Sequence, residues 1–145
     1  MRLLVKRLAT PLGMAAAVAC GESTGVQLAD LAGTWNITTM EFSEVGGSAR
    51  VDLISDFGGT ATIEIESDGS FTLTITVQGV PETDTGTITV NGDEVTLASA
   101  TDASQGTISR NGDTVTIDFD AGVEFDFDDD GTDDAATLRI VMVRQ

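Results

Sequence analysis

From Asp126 to Asp134 the chain reads Asp-Phe-Asp-Asp-Asp-Gly-Thr-Asp-Asp, its densest run of oxygen ligands. Asp126, Asp128 and Asp130 alternate along it, Gly131 follows, and Thr132 and Asp134 come next. This spacing matches the first half of a loop that holds a hard divalent cation. Such loops place carboxylates at alternate positions, a glycine at the sharp turn, then a backbone carbonyl and a further carboxylate. The ligand set expected for calcium (Ca2+) is therefore Asp126, Asp128, Asp130, the Thr132 carbonyl and Asp134. Thr137 stands where such a loop has its bidentate glutamate, and the flanks read as strands. Affinity would then fall near that of extracellular modules, about 10⁻⁴–10⁻³ M. The same residues also read as a solvated acidic turn.

Other site chemistry is scarce. The sequence has no histidine, which removes imidazole bases and imidazole metal ligands. Beyond residue 19 there is no lysine, so no amine is present for Schiff-base chemistry. No glycine-rich loop leads from a strand into a helix, and the paired acids lie on turns and outward positions, away from an enclosed site. A non-enzymatic role is expected.

The text around the acidic run is β throughout. Phe71, Leu73, Ile75 and Val77 alternate with Thr72, Thr74, Thr76 and Gln78, the period of a half-buried strand. Nine strands are expected: Gly33–Phe42, Thr60–Glu66, Phe71–Gln78, Thr83–Val90, Glu94–Ala98, Gln105–Arg110, Thr114–Asp120, Val123–Asp128 and Ala135–Arg144. Arg50–Ser55 reads as a short capping helix, with an edge strand as the alternative. A loop at Ser67-Asp68-Gly69 pairs Ile65 with Phe71, Ile63 with Leu73 and Ala61 with Ile75. Asn91-Gly92 and Asn111-Gly112 are favoured hairpin dipeptides. As two-residue turns they pair Ile88 with Val95, Ile108 with Val115 and Arg110 with Asp113. A loop at Asp120-Ala121-Gly122 pairs Phe119 with Val123, Ile117 with Phe125 and Val115 with Phe127. That register turns Phe125 and Phe127 inward and sets Asp118 opposite Glu124 on the outer face. Gly86-Thr87-Ile88 returns as Gly106-Thr107-Ile108, each followed by an Asn-Gly-Asp turn. One hairpin per copy suits an all-β, antiparallel up-and-down meander of about eight or nine strands, closed into a barrel to hide its edges.

The N-terminus carries an address. Arg2, Lys6 and Arg7 precede an apolar stretch from Leu8 to Val18, then Ala19 and the single cysteine, Cys20. This is the layout of a secretory signal, too short to span a bilayer. Ala17-Val18-Ala19-Cys20-Gly21 resembles the bacterial lipobox, with Ala17 at the usual leucine position. The expected division is a signal peptide over 1–19, a lipidated N-terminus and tether over 20–30, and a β-barrel domain over 31–145. A plain secretory signal with a leftover thiol is the alternative. Gly21 after the cysteine points to the outer membrane, facing the periplasm. From Cys20 onward the chain has four arginines and 24 acids, a formal charge of −20. Such a chain repels nucleic acid, leaving cations and basic partners open.

Leu31-Ala32-Gly33-Thr34-Trp35 opens the first expected strand. This Gly-x-Trp resembles the opening signature of lipocalins and of bacterial lipocalin-like lipoproteins. Val51-Asp52-Leu53-Ile54, Thr85-Gly86-Thr87-Ile88 and a last strand ending in arginine are similar to the same group. The resemblance implies a lipocalin-like barrel over Leu31 to Gln145. It also implies that Trp35, after Gly33, packs at the closed end beneath Arg144, or Arg139 in another register. The implied function is a membrane-anchored binding module for a small apolar ligand, its cavity drawn from Phe71, Ile75, Phe119, Phe125, Phe127 and Leu138. The alternative is a structural or interaction lipoprotein using the acidic hairpin. No oligomeric state follows from these residues.

Overall fold

A computed structural model describes residues 25–100 and 103–145 of the chain. One short helix, α1 (Leu28–Leu31), precedes nine strands. These are β1 (Gly33–Glu44), β2 (Arg50–Asp52), β3 (Thr60–Ile65), β4 (Ser70–Val77), β5 (Val80–Asn91), β6 (Glu94–Ser99), β7 (Ala103–Asn111), β8 (Thr114–Phe125) and β9 (Asp134–Arg144). Every neighbouring pair is antiparallel, and β1 also pairs with β9, from Trp35↔Arg144 to Glu44↔Ala136. β1 and β3 to β9 thus close an eight-stranded, lipocalin-like barrel with one extra strand, β2. Closure removes the open edges on which a meander of this length would aggregate.

Inward positions alternate along each strand and supply the core: Ile63 and Ile65 on β3, Ile88 on β5, Val95 on β6, Val115, Ile117 and Phe119 on β8. β1 changes phase midway. Its pairing with β9 shifts between Ile37 and Thr39, so Thr38 is an extra residue. A one-residue bulge swaps the face of all that follows. Trp35 and Ile37 point in before it, Met40 and Phe42 after it, and the spacing of these four apolar residues is the signature of the bulge.

The 65–71 hairpin forms as read, with Ile65↔Phe71, Ile63↔Leu73 and Ala61↔Ile75. Four other expectations are corrected. Arg50–Asp52 is a strand, the alternative reading, rather than the start of a helix. It pairs with Glu41–Ser43, the stretch of β1's edge that β3 does not reach. The two Asn-Gly turns are displaced by one residue: Asn91 pairs with Glu94 and Asn111 with Thr114, leaving Gly92-Asp93 and Gly112-Asp113 at the tips. Gly92 and Gly112 have φ of +65° and +61°, which suits glycine at the first central position of a type II′ turn. Ile88 therefore faces Leu97, Ile108 faces Ile117 and Arg110 faces Val115. The slip moves pairing by two, so the inward face is unchanged.

Asp120-Ala121-Gly122 is likewise no hairpin loop. β8 runs through it along β9, with Phe119↔Leu138 and then Val123↔Ala136, so these residues bulge out of one continuous strand. Val115 therefore faces Met142, Ile117 faces Ile140 and Phe125 faces Asp134. Asp118 lies opposite Arg139 rather than Glu124, and the two form an ion pair at 2.6 Å. That bond raises the pKa of Arg139. A further turn, Gln78-Gly79, ends β4 at Val77 and starts β5 at Val80, three residues before its expected start, with positive φ at both turn residues.

The repeated Gly-Thr-Ile has a packing reason. Gly86 lies opposite Phe71, and a Cβ there would collide with the Ala98 carbonyl oxygen and come within 2.9 Å of the Phe71 ring. Gly106 repeats the arrangement: its Cβ would collide with the Asp118 carbonyl oxygen and come within 2.8 Å of the Phe119 ring. Each aromatic ring covers a glycine that the tight wall requires. Gly106→Ala is therefore expected to cost about 1–3 kcal/mol by overpacking. Ordinarily the same change in a strand gains about 0.5–1 kcal/mol. Urea denaturation followed by circular dichroism measures the sign directly.

Candidate functional site

One end of the barrel is sealed. Val26 and Leu31 are buried in the core cluster, and Leu28 packs against it. Trp35 is fully buried there, and its indole Nε1 donates to the Leu31 carbonyl at 2.7 Å. The Arg144 guanidinium lies 4.4 Å from the indole centroid. Its Nη1 donates to the Ala32 carbonyl at 3.0 Å and its Nη2 to the Asp30 carbonyl at 2.6 Å. Trp35 and Arg144 thus satisfy carbonyls that the end of a four-residue helix leaves without partners. Gly33 has φ +124°, and a Cβ on it would sit 2.9 Å from Arg144 Nη1. Gly33, Trp35 and Arg144 therefore form one plug with a structural role. Arg139 lies on the outer face with Asp118.

The other half of the barrel interior is hollow. A cavity of about 300 Å³ lies among Ile37, Met40 and Phe42 of β1, Ile63 of β3, and Phe71, Leu73 and Ile75 of β4. Leu97 of β6, Ile117 and Phe119 of β8, and Leu138, Ile140 and Met142 of β9 complete its apolar lining. This volume is at the lower limit for small-molecule sites, and barrels of eight strands have room for side chains or one small ligand. Toward the end opposite Trp35 the lining is only half-buried, at Phe42, Leu73, Ile75, Leu97 and Leu138. The polar lining groups are Asp84, Ser99 and Ser104. Val45 and Phe57 on loops and Val80 at the start of β5, exposed by 57%, 43% and 62%, stand at this same end.

Phe71, Ile75, Phe119 and Leu138 lie on the cavity wall, as the sequence-derived set has them. Phe125 and Phe127 do not line it. Phe125 stacks on Phe42 with ring centroids 4.6 Å apart, and Phe127 meets Phe125 edge-on at 5.0 Å. Both lie behind Phe42 because β8 follows β9 to Phe125 and the chain then leaves the sheet. Asp84 was missed, although its even spacing from Ile88 on the expected strand Thr83–Val90 carries the signal. Met40 and Phe42 were missed because the Thr38 bulge reverses their face.

The acidic run forms the loop between β8 and β9. One carboxylate oxygen from each of Asp126, Asp128 and Asp130 lies within 4.8 Å of the others. The loop is held by its own backbone. Asp126 accepts from the Asp130 and Gly131 amides at 3.2 and 2.9 Å, and Asp130 accepts from Thr132 N at 2.7 Å. Asp129 and Gly131 make the turn at φ +57° and +84°. Asp134 is not in the triad. Its pKa is raised by desolvation and by the neighbouring charges of Asp128, Glu44 and Asp130. The loop can present three oxygens to a cation, in the order the spacing predicts for three of its ligands.

Cys20, the signal peptide expected over 1–19 and the first part of the expected tether, up to residue 24, lie outside the described residues. The chain matches no family model, no curated protein and no solved structure.

Proposed function

We propose that this protein is a membrane-anchored, lipocalin-like binding module that takes a small apolar ligand into its barrel and performs no catalysis. The apolar cavity of about 300 Å³ above the Trp35 plug is the observation that carries this reading. The exposed Val45, Phe57 and Val80 support it by giving the mouth an apolar lip. In the same proposal Cys20 is acylated and tethers the module to the outer membrane, facing the periplasm. Gly25 packs beside Gly92, a turn at the closed end. Five residues span at most about 17 Å, so an anchor at Cys20 keeps the closed end near the lipid and turns the mouth away. The intact mass of membrane-extracted protein checks the acylation, and a mature chain without acyl mass overturns it.

The binding test is titration with the apolar fluorophore N-phenyl-1-naphthylamine. Saturable, one-to-one enhancement is expected for the wild type and loss of it for Leu73→Trp, whose indole fills the cavity. Circular dichroism checks that the variant folds. Binding that survives Leu73→Trp in a folded variant, or no binding by the wild type, overturns the reading.

The triad of Asp126, Asp128 and Asp130 favours a second reading, a structural or interaction lipoprotein with a weak calcium site. At a Kd of about 1 mM, ten-fold excess calcium stabilises by about 1.4 kcal/mol, a rise in Tm of about 5 °C for a domain of this size. Thermal unfolding in calcium, magnesium and chelator reads this shift. Coincident midpoints remove the calcium site.

A further inference from the structure

Among the described residues the cavity carries one charged lining group, the Asp84 carboxylate, beside Ser99 and Ser104. β5 explains why an acid faces this space. Its inward positions are the even ones, set by Ile88 at 1% exposure, so Gly86, Asp84 and Glu82 follow on the same face. β5 pairs with β6 only from Gly86 to Asn91. Before Gly86 it pairs with β4, where Asp84 lies opposite Leu73, and Asp84 is exposed where it lines the cavity. Asp84 Oδ1 accepts the Thr85 amide at 2.8 Å. Among the described residues no ion pair reaches Asp84, and no arginine lines the cavity. The chain from Cys20 onward supplies no lysine and a formal charge of −20.

From this placement we infer that the cavity selects an amphiphile with a single cationic head, an alkylamine or alkylammonium, over a fatty acid of the same length. The inference rests on the binding-module reading above and names its ligand class. The apolar chain lies among Leu73, Ile75, Leu97 and Phe119. The head sits against Asp84, where the Ser104 hydroxyl offers a further acceptor oxygen. A charge-assisted hydrogen bond is shorter and stronger than a neutral one. A carboxylate head would lose hydration while facing a like charge, which costs binding.

Calorimetric titration with decylamine, decanol and decanoate, each below its micelle concentration and at near-physiological salt, separates the cavity from general surface charge. Decylamine is expected to bind about tenfold tighter than decanol, with decanoate weakest. Asp84→Asn should bring decylamine within about twofold of decanol and leave decanol unchanged. Asp93→Asn, which removes the same charge at the closed end, should preserve the wild-type order. Equal binding of all three probes, or a preference that survives Asp84→Asn, overturns the head-group assignment and leaves the apolar cavity standing. If none of the three binds, the cavity reading and this inference fall together.

Discussion

Trp35→Ala is expected to lower the unfolding free energy by about 3–5 kcal/mol, the cost of deleting a large buried aromatic. The indole is fully buried, and three supports end on it: the core, the Leu31 carbonyl and the Arg144 guanidinium. A helix of four residues cannot stand without tertiary packing, so α1 should loosen with the indole. The Leu31 carbonyl would lose its donor, and Arg144 would lose its aromatic partner, worth on the order of 1 kcal/mol. Trp35→Phe separates the parts: it keeps a ring and removes the N–H, and should cost less. Trp35 is the single tryptophan, so both variants are followed by circular dichroism in urea. A loss under about 1.5 kcal/mol for the alanine variant, well below the range for such deletions, would mean that the closed end is held by something other than this plug.

Phe119→Ala should be nearly as damaging, at about 3 kcal/mol or more. Phe119 is 1% exposed, lines the cavity and covers Gly106. Removing it adds its volume to an existing void inside a closed sheet, where the walls cannot collapse inward without breaking ladder bonds. The cost of such deletions rises with the void that remains. It also uncovers a glycine whose backbone has no side chain of its own to replace the ring. Denaturant unfolding followed by Trp35 fluorescence measures the loss. The enlarged cavity should also accept a bulkier apolar fluorophore than the wild type does. A loss below about 1 kcal/mol, far less than a packed phenylalanine costs, would show that Phe119 makes few contacts in solution.

Much of this architecture was legible in the residue order, for a local reason. The alternation of Phe71, Leu73 and Ile75 with threonines needs only the pleat of a strand, so it identifies β4 and its inward face at once. The paired Gly-Thr-Ile segments and the Asn-Gly-Asp segments after them mark hairpins for the same reason. Errors fell where a local signal has two solutions. Asn-Gly can occupy both central positions of a turn, or lend only its glycine. The two choices differ by two residues of register and none of facing, so the hydrophobic pattern is blind to the difference. Asp120-Ala121-Gly122 has the composition of a loop and equally of a bulge. Here β8 continues along β9, which pairs Val123 to Phe125 with Asp134 to Ala136.

Residue order by itself therefore determined the strand content, the inward face of most strands and the acidic loop. Those follow from side-chain period and backbone preference, which act within a few residues. Tertiary structure decided the closure of β1 on β9, the bulges at Thr38 and Asp120–Gly122, and the strand state of Arg50–Asp52. It also decided that Phe42 rather than Phe125 meets the cavity, and that Asp84 stands at its mouth. Each of these depends on how far one strand outruns its neighbour when the sheet closes. That distance is set by all the strand lengths and shifts together, and no single segment encodes it.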